Sequence, residues 1–152
     1  MSLHDNMMRL ALTEAQKAAA KGEVPVGAVI AIGETVISAA HNLRESTGDP
    51  TAHAEVLAIR EAAQKLGRRR LNDCTLYVTL EPCPMCAGAM VMACLGSCFF
   101  GAKDIKQGCA ESVLSITQEP AFYHNIPCFG GLQEEACATL LNDFFRSKRT
   151  NQ

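Results

Sequence analysis

His53 and Glu55, two residues apart, and Cys83 and Cys86, at C-x-x-C spacing, are the residues of this chain best equipped for chemistry. They sit in the strings Thr51-Ala-His-Ala-Glu55 and Glu81-Pro-Cys-Pro-Met-Cys86. One imidazole and two thiolates suit a tetrahedral zinc and leave one position open for water. A structural zinc normally takes four protein ligands, so a set of three points to catalysis. The carboxylate beside it is then a ready proton carrier. By itself C-x-x-C also fits a redox pair, half of a structural zinc site, or chance. No second C-x-x-C completes a structural site, and no βαβ pattern of the thioredoxin kind precedes it.

The elements that must position these residues are legible in outline. Helical spacing runs over Met7–Lys21, with Gly22 as a stop. Val26–Ile32 and Thr35–Ala40 are β-rich runs separated by Gly33-Glu34, a hairpin signal. The polar stretch His41–Pro50 reads as a loop. Thr51–Leu66 reads as a helix ended by Gly67, and Thr75–Leu80 as a strand. A helix over Cys83–Leu95 starts at Pro82, whose missing N–H costs nothing there. Cys98–Gly101 is a short buried strand, Lys103–Pro120 is mixed, and Pro127 makes Ile126–Phe129 an edge strand. Leu132–Arg149 closes the chain as an amphipathic helix. This order implies a sheet with helices packed on its faces.

Both chemical strings therefore lie at helix starts. Unpaired N–H groups and a partial positive charge there favour thiolate over thiol. Cys83 and Cys86, at i,i+3, share one helical face. His53 and Glu55, at i,i+2, point apart in a regular helix. They serve one site only if they lie in the first turn and reach past the helix end.

The chain has 152 residues, enough for one domain with one core, and an ordinary 48% of apolar residues. With two Tyr, six Phe and no Trp, aliphatic side chains must fill that core. A net charge of −2 advertises no global basic field for nucleic acid, though a local patch remains compatible with it. Asp5 and Arg9 interrupt the N-terminus, so no signal peptide is expected, and no apolar run is long enough to span a membrane. The expectation is a cytoplasmic protein whose cysteines stay reduced. Cys74, Cys94, Cys98, Cys109, Cys128 and Cys137 then read mostly as small core hydrophobes. Met85, Met90 and Met92 read as core filler, and Arg68-Arg69-Arg70 as a solvated run.

H-A-E followed by P-C-x-x-C is the signature of zinc nucleobase deaminases. Pro50-Thr-Ala-His-Ala-Glu55 together with Thr79-Leu-Glu-Pro-Cys-Pro-Met-Cys-Ala-Gly-Ala-Met90 resembles the cytidine/deoxycytidylate deaminase superfamily. Within it, Glu23-Val-Pro-Val-Gly-Ala-Val29, Asn42, Phe100-Gly-Ala-Lys-Asp104 and Phe144-Phe145 are similar to the bacterial tRNA-specific adenosine deaminase family. The resemblance spans about Met7 to Arg149. It implies a three-layer α/β/α fold, with a central mixed five-stranded sheet and helices on both faces. It implies one zinc per chain on His53, Cys83 and Cys86, with Glu55 as proton shuttle. The implied reaction is hydrolytic deamination of the wobble adenosine to inosine in a tRNA anticodon stem-loop, tRNA-Arg above all. The implied assembly is a homodimer, and neither DNA nor a membrane is expected as a partner.

By the same resemblance Asn42 reads an edge of the flipped base, and Asp104 and Lys106 hold the RNA backbone or sugars. Phe145 is a candidate to stack on a base, since adjacent Phe144 and Phe145 cannot both face the core. Arg146, Lys148 and Arg149 could meet phosphates, but such a run is more often a solvated helix end that suits the dipole. The chain departs from its relatives at Cys94 and Ser97, where Arg is frequent, at Tyr123, where Asn is usual, and at Glu111, where Gly is common. Two other readings compete. One is a zinc deaminase of a free nucleobase or nucleoside, of the guanine or cytosine type. The other is a non-catalytic partner subunit, which the presence of Glu55 disfavours.

Overall fold

The structure is a computed structural model and describes residues 2–150. Helix α1 spans Leu3–Ala20, with the Ser2 side chain accepting the Asp5 N–H at 3.1 Å as its cap. It starts earlier than the apolar periodicity from Met7 suggests. The polar first turn is held by His4, whose Nδ1 lies 2.8 Å from the Tyr77 hydroxyl and whose ring stacks on Phe99 at 4.1 Å. Strands β1 (Gly27–Ile32) and β2 (Thr35–His41) form the expected hairpin. Ile32 pairs with Thr35 across a two-residue turn in which Gly33 takes φ +57°, a conformation that suits glycine.

A short helix, α2 (Arg44–Thr47), interrupts the loop that follows. Helix α3 spans Ala54–Leu66 and stops at Gly67 in the left-handed region, φ +65°. Strand β3 is Thr75–Leu80, helix α4 Pro84–Met92 and strand β4 Ser97–Ala102. Pro84, rather than Pro82, is the first residue of α4, so Pro82 lies in the connection from β3. A 3-10 turn at Ile116–Gln118 and the two-residue strand β5 (Cys128–Phe129) precede helix α5 (Glu134–Thr150).

The sheet order is β2-β1-β3-β4-β5. β1 runs antiparallel to β2 and β3, while β3, β4 and β5 are mutually parallel. This is the mixed five-stranded sheet that the sequence resemblance implied. Helices α1 and α5 pack together on one side, and α3 and α4 together on the other, giving three layers. Aliphatic and small residues supply most of the core, with Ala28, Val29, Ile30, Leu76, Val78 and Phe100 fully buried on the three central strands. The approach of α1 to β1 is so close that a Cβ on Gly27 would lie 1.9 Å from the Ala11 carbonyl oxygen.

All eight cysteines are free, and among the six outside the motif only Cys128 is more than marginally exposed. Their reading as small core residues holds for packing. Met90 is core filler as expected, but Met92 is 70% exposed and lies on the surface. No helix among the described residues is long and apolar enough to cross a membrane.

Candidate active site

The strand order decides where the two chemical strings meet. The C-terminal ends of β2, β3 and β4 and the start of β1 all lie at one edge of the sheet. His53 follows the β2 connection and caps α3; Cys83 follows β3 and caps α4. Both caps have extended backbone, His53 at φ −79°, ψ 150° and Cys83 at φ −75°, ψ 175°. The i,i+2 problem of His53 and Glu55 is solved this way. His53 lies outside the helix and turns its ring toward α4, while Glu55 sits in the first turn of α3.

His53 Nδ1 lies 3.7 Å from Cys83 Sγ and 3.6 Å from Cys86 Sγ. The three donor atoms all fall within 4.8 Å of one another, and they are the only such group among the described residues. A tetrahedral zinc with ordinary Zn–N and Zn–S bonds needs N···S edges of about 3.6 Å, so the donor set fits the ion without rearrangement. Glu55 is not part of that group and stays available for proton work.

The electrostatics agree with this division of roles. Cys83 is pulled down to about 4, chiefly by a hydrogen bond from the Cys86 thiol and further by His53. Cys86, the donor to that thiolate and deeply buried, is pushed up. A cation between the sulfurs displaces that proton. His53 is raised, first by its hydrogen bond to Cys83. Glu55, 4% exposed, is pushed up to about 7 by burial, with the Cys83 charge adding to the shift. A carboxylate that titrates near neutrality can both take and return a proton at working pH.

His53 leaves α3 without a side-chain cap, because its ring is used elsewhere. Asn42 supplies the cap from outside the helix: its Oδ1 accepts the Ala54 N–H at 2.9 Å. Its Nδ2 donates to the Val24 carbonyl at 3.2 Å. The amide keeps one N–H and one lone pair for a ligand.

These residues line a cleft of about 520 Å³ that contains Asn42, Arg44, His53, Glu55, Cys83 and Phe145. Asp104 and Lys106 are also on its wall, with Lys103, Ile105 and Gln107. Asn42, Asp104, Lys106 and Phe145 thus line one cavity, whereas Arg146, Lys148 and Arg149 are not on its wall. Asp104 Oδ1 is occupied locally by the N–H groups of Lys106 and Gln107. Phe145 is 43% exposed and meets Phe144 edge-on, while Lys148 sits over the Phe144 ring. A larger, more open hollow of about 1040 Å³ lies between α1 and α5, lined by Leu12, Gln16, Glu134 and Glu135 among others, and contains none of the metal-site residues.

Sequence reasoning assigned no role to Arg44, Glu23 or Glu81. Arg44 was hidden in a stretch read as loop. Glu23 and Glu81 stood inside the quoted strings but carried no local signal, because their partners lie 22 to 31 residues away. Cys94, Ser97, Glu111 and Tyr123 lie outside the candidate metal set. Ser97 Oγ contacts Thr75 Oγ1, Tyr123 donates to the Val91 carbonyl, and Glu111 pairs with Lys103 at 3.5 Å. Cys94 is buried and takes φ +55° just beyond α4.

Comparison with known proteins agrees with this geometry. The family model described as MafB19-like deaminase matches residues 2–149. A tRNA-specific adenosine deaminase of Bacillus subtilis is 48% identical over 98% of this chain and 92% of its own length. A structure from studies of A-to-I editing by tRNA:A34 deaminases at the wobble position superposes with a TM-score of 0.86. It is 41% identical and covers 90% of this chain and 99% of its own. A guanine deaminase of Bacillus subtilis superposes with a TM-score of 0.65 at 33% identity, covering 99% of this chain and 95% of its own. With its full-length match to curated relatives and a metal-donor triad beside a buried carboxylate, the chain belongs to the tRNA-specific adenosine deaminase family of hydrolytic deaminases.

Proposed function

We propose that this protein deaminates the wobble adenosine of a tRNA anticodon, that of tRNA-Arg, to inosine. The observation that carries the reading is the placement of Glu55, buried and displaced to about 7, beside the His53–Cys83–Cys86 triad at the end of a cleft large enough for a base. Arg44, Lys103 and Lys106 at the rim offer charge to the phosphates that flank an extruded base. An anticodon loop is already single-stranded, so extruding one base is comparatively cheap.

The mechanism follows from the positions of these groups. His53, Cys83 and Cys86 would hold a zinc ion, which would supply Lewis-acid activation of a water. Glu55 takes a proton from the attacking water as the water oxygen adds to C6, and delivers that proton to N1. Glu55 then carries the proton of the new C6 hydroxyl to the exocyclic nitrogen, and the C6–N bond breaks as the C6=O bond forms. Adenosine and water become inosine and ammonia. Asn42 holds the base edge with its free N–H and lone pair, and Phe145 closes the mouth against water.

A homodimer is part of the reading. Met92 at 70% and Tyr123 at 68% exposure, joined by a contact between the Tyr123 hydroxyl and the Met92 sulfur, form an apolar surface suited to a second copy. A tRNA substrate makes the cytoplasm its location, and we read the chain as one catalytic domain. The likeness to a guanine deaminase favours a second reading, hydrolysis of a free purine base.

The test is inosine formation at the wobble position of an unmodified tRNA-Arg anticodon stem-loop, with Glu55→Ala as control. Inosine with the native protein alone, and zinc near one per chain in both proteins, is the expected result. Turnover by the Glu55→Ala protein would overturn the mechanism. Ammonia from free guanine or adenine, with none from the stem-loop, would establish the second reading.

A further inference from the structure

Two buried carboxylates outside the metal site, Glu81 and Glu23, are bonded in a way the deamination chemistry does not use. Glu81 is 2% exposed and accepts five hydrogen bonds from one irregular segment. Its Oε1 takes the Asp104 N–H at 3.1 Å and the Ser112 hydroxyl. Its Oε2 takes the N–H groups of Ala110, Glu111 and Ser112 at 3.2, 2.8 and 2.9 Å. The segment from Asp104 to Ser112 contains neither helix nor strand, so this carboxylate is the hub on which it is wound. The fit is tight enough that a Cβ on Gly108 would lie 2.4 Å from Glu81 Cδ.

Glu23 repeats the arrangement on the other side. It is 1% exposed and accepts the N–H groups of Glu45 and Ser46 at 3.0 and 2.6 Å and the Ser46 hydroxyl at 2.5 Å. Neither carboxylate is within ion-pair distance of a basic side chain among the described residues. Their direct partners are loop N–H and hydroxyl groups, with the Arg44 charge acting on Glu23 from farther away. A loop that swings away leaves a buried charge without partners, and that cost holds it in place.

The sheet order gives these clamps their meaning. The Glu81-bound segment follows β4 and carries Asp104 to Gln107; the Glu23-bound segment follows β2 and carries Arg44. In the sheet β1 and β3 lie between β2 and β4, so the two segments form facing walls of the cleft. With both oxygens of Glu81 occupied, no lone pair is left to carry a proton, in contrast to Glu55.

We propose that Glu81 and Glu23 are positioning residues, one for each wall of the substrate cleft, and that they set affinity for the RNA rather than the rate of the chemical step. The inference rests on the RNA reading for its kinetic test but not for its structural one. Glu81→Gln and Glu23→Gln, compared with the zinc-loaded native protein, turn acceptors into donors that face donors. Hydrogen exchange without substrate should rise at residues 104–112 in the first variant and at 43–47 in the second, each leaving the other wall unchanged. On the stem-loop, KM should rise at least about tenfold with kcat within about threefold, the pattern of lost uniform binding. Zinc should stay near one per chain.

Exchange that rises evenly across the chain, or kcat that falls together with zinc, would overturn the proposal. So would unchanged exchange at both walls. If either variant fails to fold, Ser112→Ala and Ser46→Ala each remove one side-chain donor and should give the same local exchange on a smaller scale. A native protein that makes no inosine would sink the RNA reading, and exchange alone would then decide this one.

Discussion

Removing the Asn42 side chain should damage stability and activity together, by amounts that can be worked out from its bonds. Asn42→Ala deletes the acceptor for the Ala54 N–H and the donor to the Val24 carbonyl, both at a residue only 5% exposed. Loss of a helix cap costs about 0.5–2 kcal/mol. A buried polar group left unsatisfied costs about 1–3 kcal/mol. Together they give about 1.5–5 kcal/mol, or a fall in Tm of about 3–20 °C for a chain of this length. Thermal melting of the zinc-loaded protein by circular dichroism measures it. Since α3 begins between His53 and Glu55, the same loss should cut kcat/KM at least about a hundredfold. Asn42→Asp separates the two roles. It keeps an acceptor and places a negative charge at a helix N-terminus, so it should recover at least half of the lost stability. It cannot donate to a base, and should stay as inactive as Asn42→Ala. A melting point within about 1 °C of native for Asn42→Ala would refute the capping argument. An active Asn42→Asp would refute a donated hydrogen bond to the base.

Stripping the metal with a chelator, or replacing Cys86 by Ala, should lower Tm. With zinc at a thousand times its Kd the ion contributes about 4 kcal/mol, and a chelated protein with an unchanged melting curve would exclude the triad as a metal site. Acid should expose the buried carboxylates. Burial alone would raise Glu14 and Glu23, but Lys17 and His41 at Glu14, and Ser46 with the backbone of residues 45 and 46 at Glu23, hold both below their ordinary 4.5. Folded values below the unfolded ones mean that this stability is fully present above about pH 4.5 and drains away as pH falls through the folded values. Tm should therefore drop below that pH, less steeply in Glu23→Gln than in the native protein, and equal slopes would show that Glu23 contributes nothing.

What the sequence by itself determined is whatever depends on neighbours within a few residues. The i,i+3 spacing of Cys83 and Cys86 already places two thiolates on one face, and Gly33-Glu34 already specifies a tight hairpin. Gly67 ends α3 where it should, because only the local backbone is involved. The candidate metal donors and Glu55 stand out as residue types for the same reason: their chemistry is intrinsic to the side chains. The tertiary structure decided what lies between distant segments. That His53 stands outside α3 could not be read from a helical period, because the period does not say which residue is the cap. Asn42 caps a helix twelve residues on, and Glu81 and Glu23 hold walls more than twenty residues away. Those bonds exist only once the order β2-β1-β3-β4 has brought the loops after β2 and β4 to opposite sides of one cleft. A buried carboxylate looks the same in sequence whether it carries a proton or clamps a loop; the difference is how many donors the fold turns toward it.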